Sequence, residues 1–147
     1  MSILFNRHPI FCRCVCVTWL LLSFSAVADV LVVVSAKNAT VTLNKTQVRD
    51  LFLGKTTSLP DGSNVTPIDQ SETKPLREEF YTKVANMSAS QVKARWAKLY
   101  FTGRGLPPRE GIDSDEVKKL INSTPGAIGY IEQASLDSSV KVIFVAQ

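Results

Sequence analysis

The spacing of apolar residues changes period several times along the chain, and each change marks an element. Positions 30–35, Val-Leu-Val-Val-Val-Ser, form an almost unbroken apolar run, the pattern of a strand covered on both faces. From Asn44 the period becomes helical, with Val48, Leu51 and Phe52 falling on one face. Asn44 and Gln47 stand three residues apart as a capping box, and Leu43 is placed to staple onto Val48. Gly54 supplies a left-handed exit. Pro60-Asp61-Gly62 reads as a turn. Residues 65–68 read as a short strand, weakened by Pro67, which has no N–H to give to a ladder.

A second helix is expected from Pro75, a residue suited to a first turn, with Leu76, Phe80, Val84 and Met87 as its buried stripe. Ser88 and Gln91 open a third, bearing Val92, Trp96, Leu99 and Tyr100; Trp96 and Tyr100 are read as core residues. Gly103, Gly105, Pro107 and Pro108 end it in a rigid surface loop. Asp113 and Glu116 open a fourth, carrying Val117, Leu120 and Ile121. Thr124-Pro125-Gly126 is a turn, and residues 127–131 and 140–145 read as strands. The order β-α-β-α-α-α-β-β predicts an α/β domain, a central sheet between helices. The sheet is expected to be mixed, because the last two strands are linked too briefly for a helical crossover.

The first 28 residues stand apart. Arg7 and Arg13 give a positive start, residues 15–24 are apolar, and Ala26-Val27-Ala28 places small side chains at alternate positions. Together these predict a secretory signal peptide cleaved after Ala28, leaving residues 29–147 as one domain. An uncleaved anchor competes, since positions 30–34 extend the apolar run. Asp29 interrupts that run, and the β-branched residues after it suit a strand better. Cleavage would remove all three cysteines and the only histidine. The remainder then offers no disulfide framework or thiolate metal site, and no imidazole base or thiol nucleophile. Glu78 and Glu79 are adjacent on a helix and point apart. The chain is therefore read as non-enzymatic, with no cofactor and no metal. Arg7 and Arg13 leave as well, so fifteen cations face thirteen anions, against a net +4 for the whole chain. That balance is too even for a nucleic-acid binder.

One segment has the makings of an anion site. A helix N-terminus presents N–H groups and a positive dipole end. Ser71 and Thr73 precede the second helix with hydroxyl donors, Lys74 and Arg77 lie within a turn, and Gln70 adds an amide. The same residues also fit a plain cap, in which Ser71 or Thr73 bonds the backbone and Glu72 answers the dipole. Lys93, Arg95, Lys98, Arg104 and Arg109 make a basic region around the third helix. It is read as a solvated face, with lipid phosphates or an acidic partner as the alternative.

Several stretches together resemble the PstS-like phosphate ABC transporter substrate-binding proteins. Residues 43–55, Leu-Asn-Lys-Thr-Gln-Val-Arg-Asp-Leu-Phe-Leu-Gly-Lys, look like that family's helix ending in an IFxGK signature. Residues 65–73, followed by Phe80, fall where the family carries a strand and a Ser-Gly-Thr phosphate loop. Residues 124–131, Thr-Pro-Gly-Ala-Ile-Gly-Tyr-Ile, are similar to its TPGAIGY turn and strand. The resemblance covers nearly all of residues 29–147. It implies one lobe of a type II periplasmic-binding-protein-like fold, a mixed central sheet flanked by helices, located in the periplasm. It further implies phosphate or a similar oxyanion at the 71–73 loop, and a link to ABC transport.

Two departures qualify what the resemblance implies. Family members close two lobes on phosphate, and this chain matches the second lobe alone. Glu72 stands where the family has glycine, and the family's arginine, four residues before the serine, falls at Pro67. A lone lobe leaves its ligand open to water, where charged hydrogen bonds gain little. Tight binding therefore implies a second surface, from a homodimer or an envelope protein, with membrane contact only through such a partner. The other reading is a non-catalytic envelope interaction module that kept the lobe fold and lost the ligand.

Overall fold

A computed structural model describes residues 29–40 and 42–147; the expected signal peptide and its cleavage site lie outside the described residues. The elements in chain order are β1 (Val30–Ser35), α1 (Lys45–Phe52), β2 (Thr66–Gln70), α2 (Pro75–Ala85), α3 (Ala89–Phe101), β3 (Arg109–Gly111), α4 (Ser114–Ser123), β4 (Ala127–Glu132) and β5 (Val140–Ala146). They build one five-stranded sheet in the order β3-β2-β4-β1-β5. β2 runs parallel to β3 and β4, while β1 runs antiparallel to both β4 and β5. The sheet is mixed, as expected, because β1 runs opposite to the other four strands.

The apolar run of β1 has its cause in two separate cores. Val30, Val32 and Val34 face α1, α2 and α3, packing with Phe52, Phe80, Tyr130 and Ile143. Leu31 and Val33 face α4, packing with Val117, Leu120, Ile121 and Ile131. Coverage on both faces removes any reason for polar alternation. On the α4 side a Cβ at Gly129 would lie 2.7 Å from Val117 Cγ1 and 3.0 Å from Ile121 Cδ1. The helix thus sits closer to β4 than any side chain at that position would allow.

The predicted caps form. Asn44 accepts from Gln47 N–H and Gln47 accepts from Asn44 N–H, both at 2.9 Å. Ser88 and Gln91 do the same for α3. Gly54 leaves α1 with φ 65°, its Cα turned towards the Trp96 ring. At α4 only half of the box closes: Asp113 accepts from Glu116 N–H, but the Glu116 carboxylate turns to Ile112 N–H.

Four expectations need correction. A strand, β3, stands between α3 and α4; at three residues, two of them exposed, it is too short to show a period. The strands β4 and β5 are not neighbours but parallel strands on either side of β1. Their link is brief, as read, yet it runs the length of β1 as an extended crossover with one 3-10 turn at Gln133–Ser135. Lys118 Nζ holds it through Ser135 O (2.9 Å) and Asp137 Oδ2 (2.6 Å). The buried face of α2 is Arg77, Phe80, Tyr81 and Val84, with Leu76 and Met87 only partly covered. Finally, Trp96 is buried but Tyr100 is 54% exposed, because Leu99 takes the inward position. Among the described residues no helix is long and apolar enough to cross a membrane.

Candidate functional site

The parallel strands β2, β3 and β4 point their carboxyl ends to one edge of the sheet, where α2 and α4 begin. In open α/β sheets this edge is where ligands sit. Residues 71–74 carry the chain from β2 into α2. Ser71 N–H donates to Gly111 O (2.9 Å), extending the β2–β3 pairing by one step, and Lys74 N–H donates to Ser71 O (2.9 Å). The N-cap of α2 is Lys74, with no side-chain cap, so neither Ser71 nor Thr73 caps the helix.

Beneath this turn lies a buried polar centre on Asp69. Its Oδ1 accepts from Gln70 N–H (2.8 Å) and from the Tyr130 hydroxyl. Its Oδ2 accepts from Arg77 Nε (3.1 Å) and the Tyr81 hydroxyl (2.8 Å). A buried carboxylate is tolerable when paired and surrounded by donors in this way. Burial lowers the Arg77 guanidinium's proton affinity, but the Asp69 charge outweighs it and the pKa is raised. Burial, followed by the Asp69 charge, lifts both the Tyr81 and Tyr130 hydroxyls well above 10. Aromatic packing fixes the rings. Tyr130 stacks on Phe80 at 3.8 Å, and Phe52 meets both edge-on. The Arg77 guanidinium also lies over the Tyr81 ring at 5.6 Å.

The five residues predicted as a ligand set fall into three groups. Ser71 Oγ and Thr73 Oγ1 come together at 3.2 Å. Gln70 is buried, its amide donating to Ser114 Oγ (3.2 Å) and Tyr130 O (3.1 Å). Arg77, expected near the surface, is buried in its pair with Asp69. Lys74 is exposed, with no ion pair among the described residues. It borders a groove of about 360 Å³ whose walls include Gln70, Ser114 and three carboxylates, Glu79, Asp113 and Glu132. Glu72, the departure noted in the sequence, pairs with Lys93 at 2.8 Å.

Sequence reasoning missed Asp69, Tyr81 and Tyr130. A signal for two of the partners existed: Arg77 and Tyr81 sit four apart, on the face that also carries Phe80 and Val84. A second groove, about 300 Å³, opens on the other end of the network. Arg77, Glu110, Trp96, Tyr100, Phe101 and Pro108 are among its walls. Burial raises the Glu110 pKa; Arg77 opposes the shift, while Asp69 and Glu72 add to it. Among the described residues no group of three or more His, Cys, Asp or Glu side chains is placed to hold a metal.

A five-stranded mixed sheet with one helix on one face and three on the other, and a polar centre at the carboxyl edge, is one lobe of a periplasmic-binding-protein-like fold. Among the solved structures it resembles are proteins described as phosphate-transport receptors. One is a Clostridium perfringens protein assigned as a phosphate ABC transporter substrate-binding protein and solved with bound phosphate. The two share 19% identity at a TM-score of 0.63, over 79% of this chain and 45% of that one. An ABC-type phosphate transport receptor from Vibrio cholerae matches at 19% identity and TM-score 0.62, over 79% and 46%. PstS from Borrelia burgdorferi matches at 11% and 0.58, over 79% and 47%. The chain spans just under half the length of each. At these identities the likeness is one of fold. No protein-family model matches the chain, and no curated protein matches it.

Proposed function

We propose that this chain is an exported, non-enzymatic solute-receptor lobe that takes phosphate or a similar oxyanion at the turn formed by residues 71–74. On this reading residues 1–28 are the signal peptide and residues 29–147 work in the periplasm, in the service of transport. The observation that carries it is the pair of hydroxyls, Ser71 and Thr73, 3.2 Å apart at the carboxyl end of β2. They stand directly before a helix N-terminus that no side chain caps, a favourable place for an anion. The similarity of fold to phosphate receptors supports the same reading. Lys74 is the cation for the site; Gln70 and Arg77 support the turn from beneath through Asp69, Ser114 and Tyr130. Tight binding requires a second surface, from another copy of the chain or an envelope protein.

Calorimetric titration of phosphate into residues 29–147 tests the reading. Saturable heat at millimolar phosphate, lost in Ser71→Ala/Thr73→Ala, is the expected result. No heat from monomer or dimer at that concentration sinks it. The interaction module then takes its place, a reading favoured by the carboxylates Glu79, Asp113 and Glu132 around the neighbouring groove.

A further inference from the structure

The C-terminal end of α3 exposes apolar surface that the fold does not use. Phe101 is 83% exposed, and Leu106, in the following loop, 74%. The Tyr100 and Phe101 rings meet edge-on at 5.6 Å, so they project as a unit. Ala94 and Ala97, also exposed, lie in line with Phe101 on the outer face of the helix. Pro107 and Pro108 join Tyr100 and Phe101 along one groove and stiffen the loop that carries Leu106.

Cations edge this projection. Lys98, Arg104 and Arg109 are exposed and enter no ion pair among the described residues. Of the nearest acids, Glu72 is occupied by Lys93, and Glu110 lines the groove with Asp69 and Arg77. Three unpaired cations thus flank three exposed large apolar side chains.

We propose that this face docks on an anionic phospholipid surface, with Tyr100, Phe101 and Leu106 entering the interfacial layer. Lys98, Arg104 and Arg109 then meet the lipid phosphates. An apolar projection ringed by Lys and Arg is the pattern of a segment that lies in the membrane interface, aromatic rings favour that depth, and anionic headgroups attract each nearby cation. α3 spans 13 residues, too few to cross a bilayer, so the contact is peripheral. A fluid lipid layer adapts to a projecting ring, whereas a protein partner would have to supply a pocket matched to it. The proposal uses none of residues 70–74 and stands or falls separately from the anion reading.

Sedimentation of residues 29–147, which carry the whole described fold, with vesicles tests it. Vesicles of phosphatidylglycerol mixed with phosphatidylcholine are compared with pure phosphatidylcholine. Retention on the anionic vesicles is expected, falling about fivefold for each cation removed and weakening with salt. Tyr100→Ser/Phe101→Ser/Leu106→Ser should lower it at least tenfold with the circular dichroism spectrum unchanged. Ser71→Ala/Thr73→Ala should leave it alone, and millimolar inorganic phosphate should displace no more protein than chloride at equal ionic strength. Absence of retention, equal retention on both vesicles, or a serine variant that binds like the parent would each overturn the proposal. So would a dimer in solution that Phe101→Ser dissociates, since that assigns the face to a second copy.

Discussion

The buried centre at Asp69 permits a demanding test. All four groups that meet this carboxylate are donors: Gln70 N–H, the Tyr81 and Tyr130 hydroxyls and Arg77 Nε. Asp69→Asn keeps the shape but turns an NH2 group towards donors, and strips Arg77 of its counter-charge. Removing one partner of a buried pair costs about 3–5 kcal/mol. For the 119 residues of 29–147, an unfolding entropy of about 2.1 cal/mol/K per residue turns 4 kcal/mol into a fall in Tm of about 15 °C. Arg77→Met should cost a similar amount by leaving the carboxylate short of its cation. The double variant should then be more stable than the sum of the singles predicts, by about 2–3 kcal/mol. Urea unfolding with an unchanged m-value supplies all three numbers. A cost below about 1 kcal/mol for Asp69→Asn, or singles that add within about 0.5 kcal/mol, would refute the pairing as a stabilising unit.

Two further outcomes follow from the packing. Gly129→Ala forces a Cβ to within 2.7 Å of Val117 Cγ1 and should cost about 1–3 kcal/mol. Val117→Ala, destabilising alone, should recover part of that loss in the Gly129→Ala background, and a neutral Gly129→Ala would show that α4 can move away. Tyr81 and Tyr130 hold their protons well above pH 10 in the folded chain. A folded pKa raised above the unfolded one means stability fully present below about pH 10 and lost as pH climbs beyond it. Their phenolate absorbance should therefore appear together with alkaline unfolding, and reversible ionisation of all three tyrosines near pH 10 in the folded state would contradict it.

What the sequence disclosed divides along physical lines. Local chemistry was legible: the Asn44 and Ser88 capping boxes rest on residues three apart, and both close as read. The run of apolar residues in β1 was legible too, because two-sided burial leaves a continuous trace. Strand pairing was not. The short link from β4 to β5 says that no helix intervenes, but a connection of seven residues, at up to about 3.3 Å each, can make a hairpin or run the length of β1. Arg77 and Gln70 were visible as polar residues beside a helix start, yet their burial depends on Asp69 and on Tyr130, 60 residues away from Gln70 in sequence. Tyr100 was misread because one residue, Leu99, decides which side of α3 faces inward.

Those distant partners bear on how an anion would be held at the proposed site. Arg77 is the strongest cation near the turn, and Asp69 already has it. Drawing it out would gain a charged hydrogen bond, about 1.5–3 kcal/mol, and abandon a buried carboxylate, about 3–5 kcal/mol. The exchange is unfavourable, so Arg77 stays with Asp69 and braces the turn. The ligand is left with the two hydroxyls, about 1.5–3 kcal/mol each towards a charged acceptor, the uncapped N-terminus of α2, at most about 1 kcal/mol, and the exposed Lys74, also at most about 1 kcal/mol. Their sum reaches about 8 kcal/mol at best, and lost translational and rotational freedom takes back at least about 4 kcal/mol, which leaves the free energy of a millimolar complex. The carboxylates of the adjoining groove lower it further. On the proposed reading, then, affinity beyond the millimolar range has to come from donors that a second surface brings to residues 71–74.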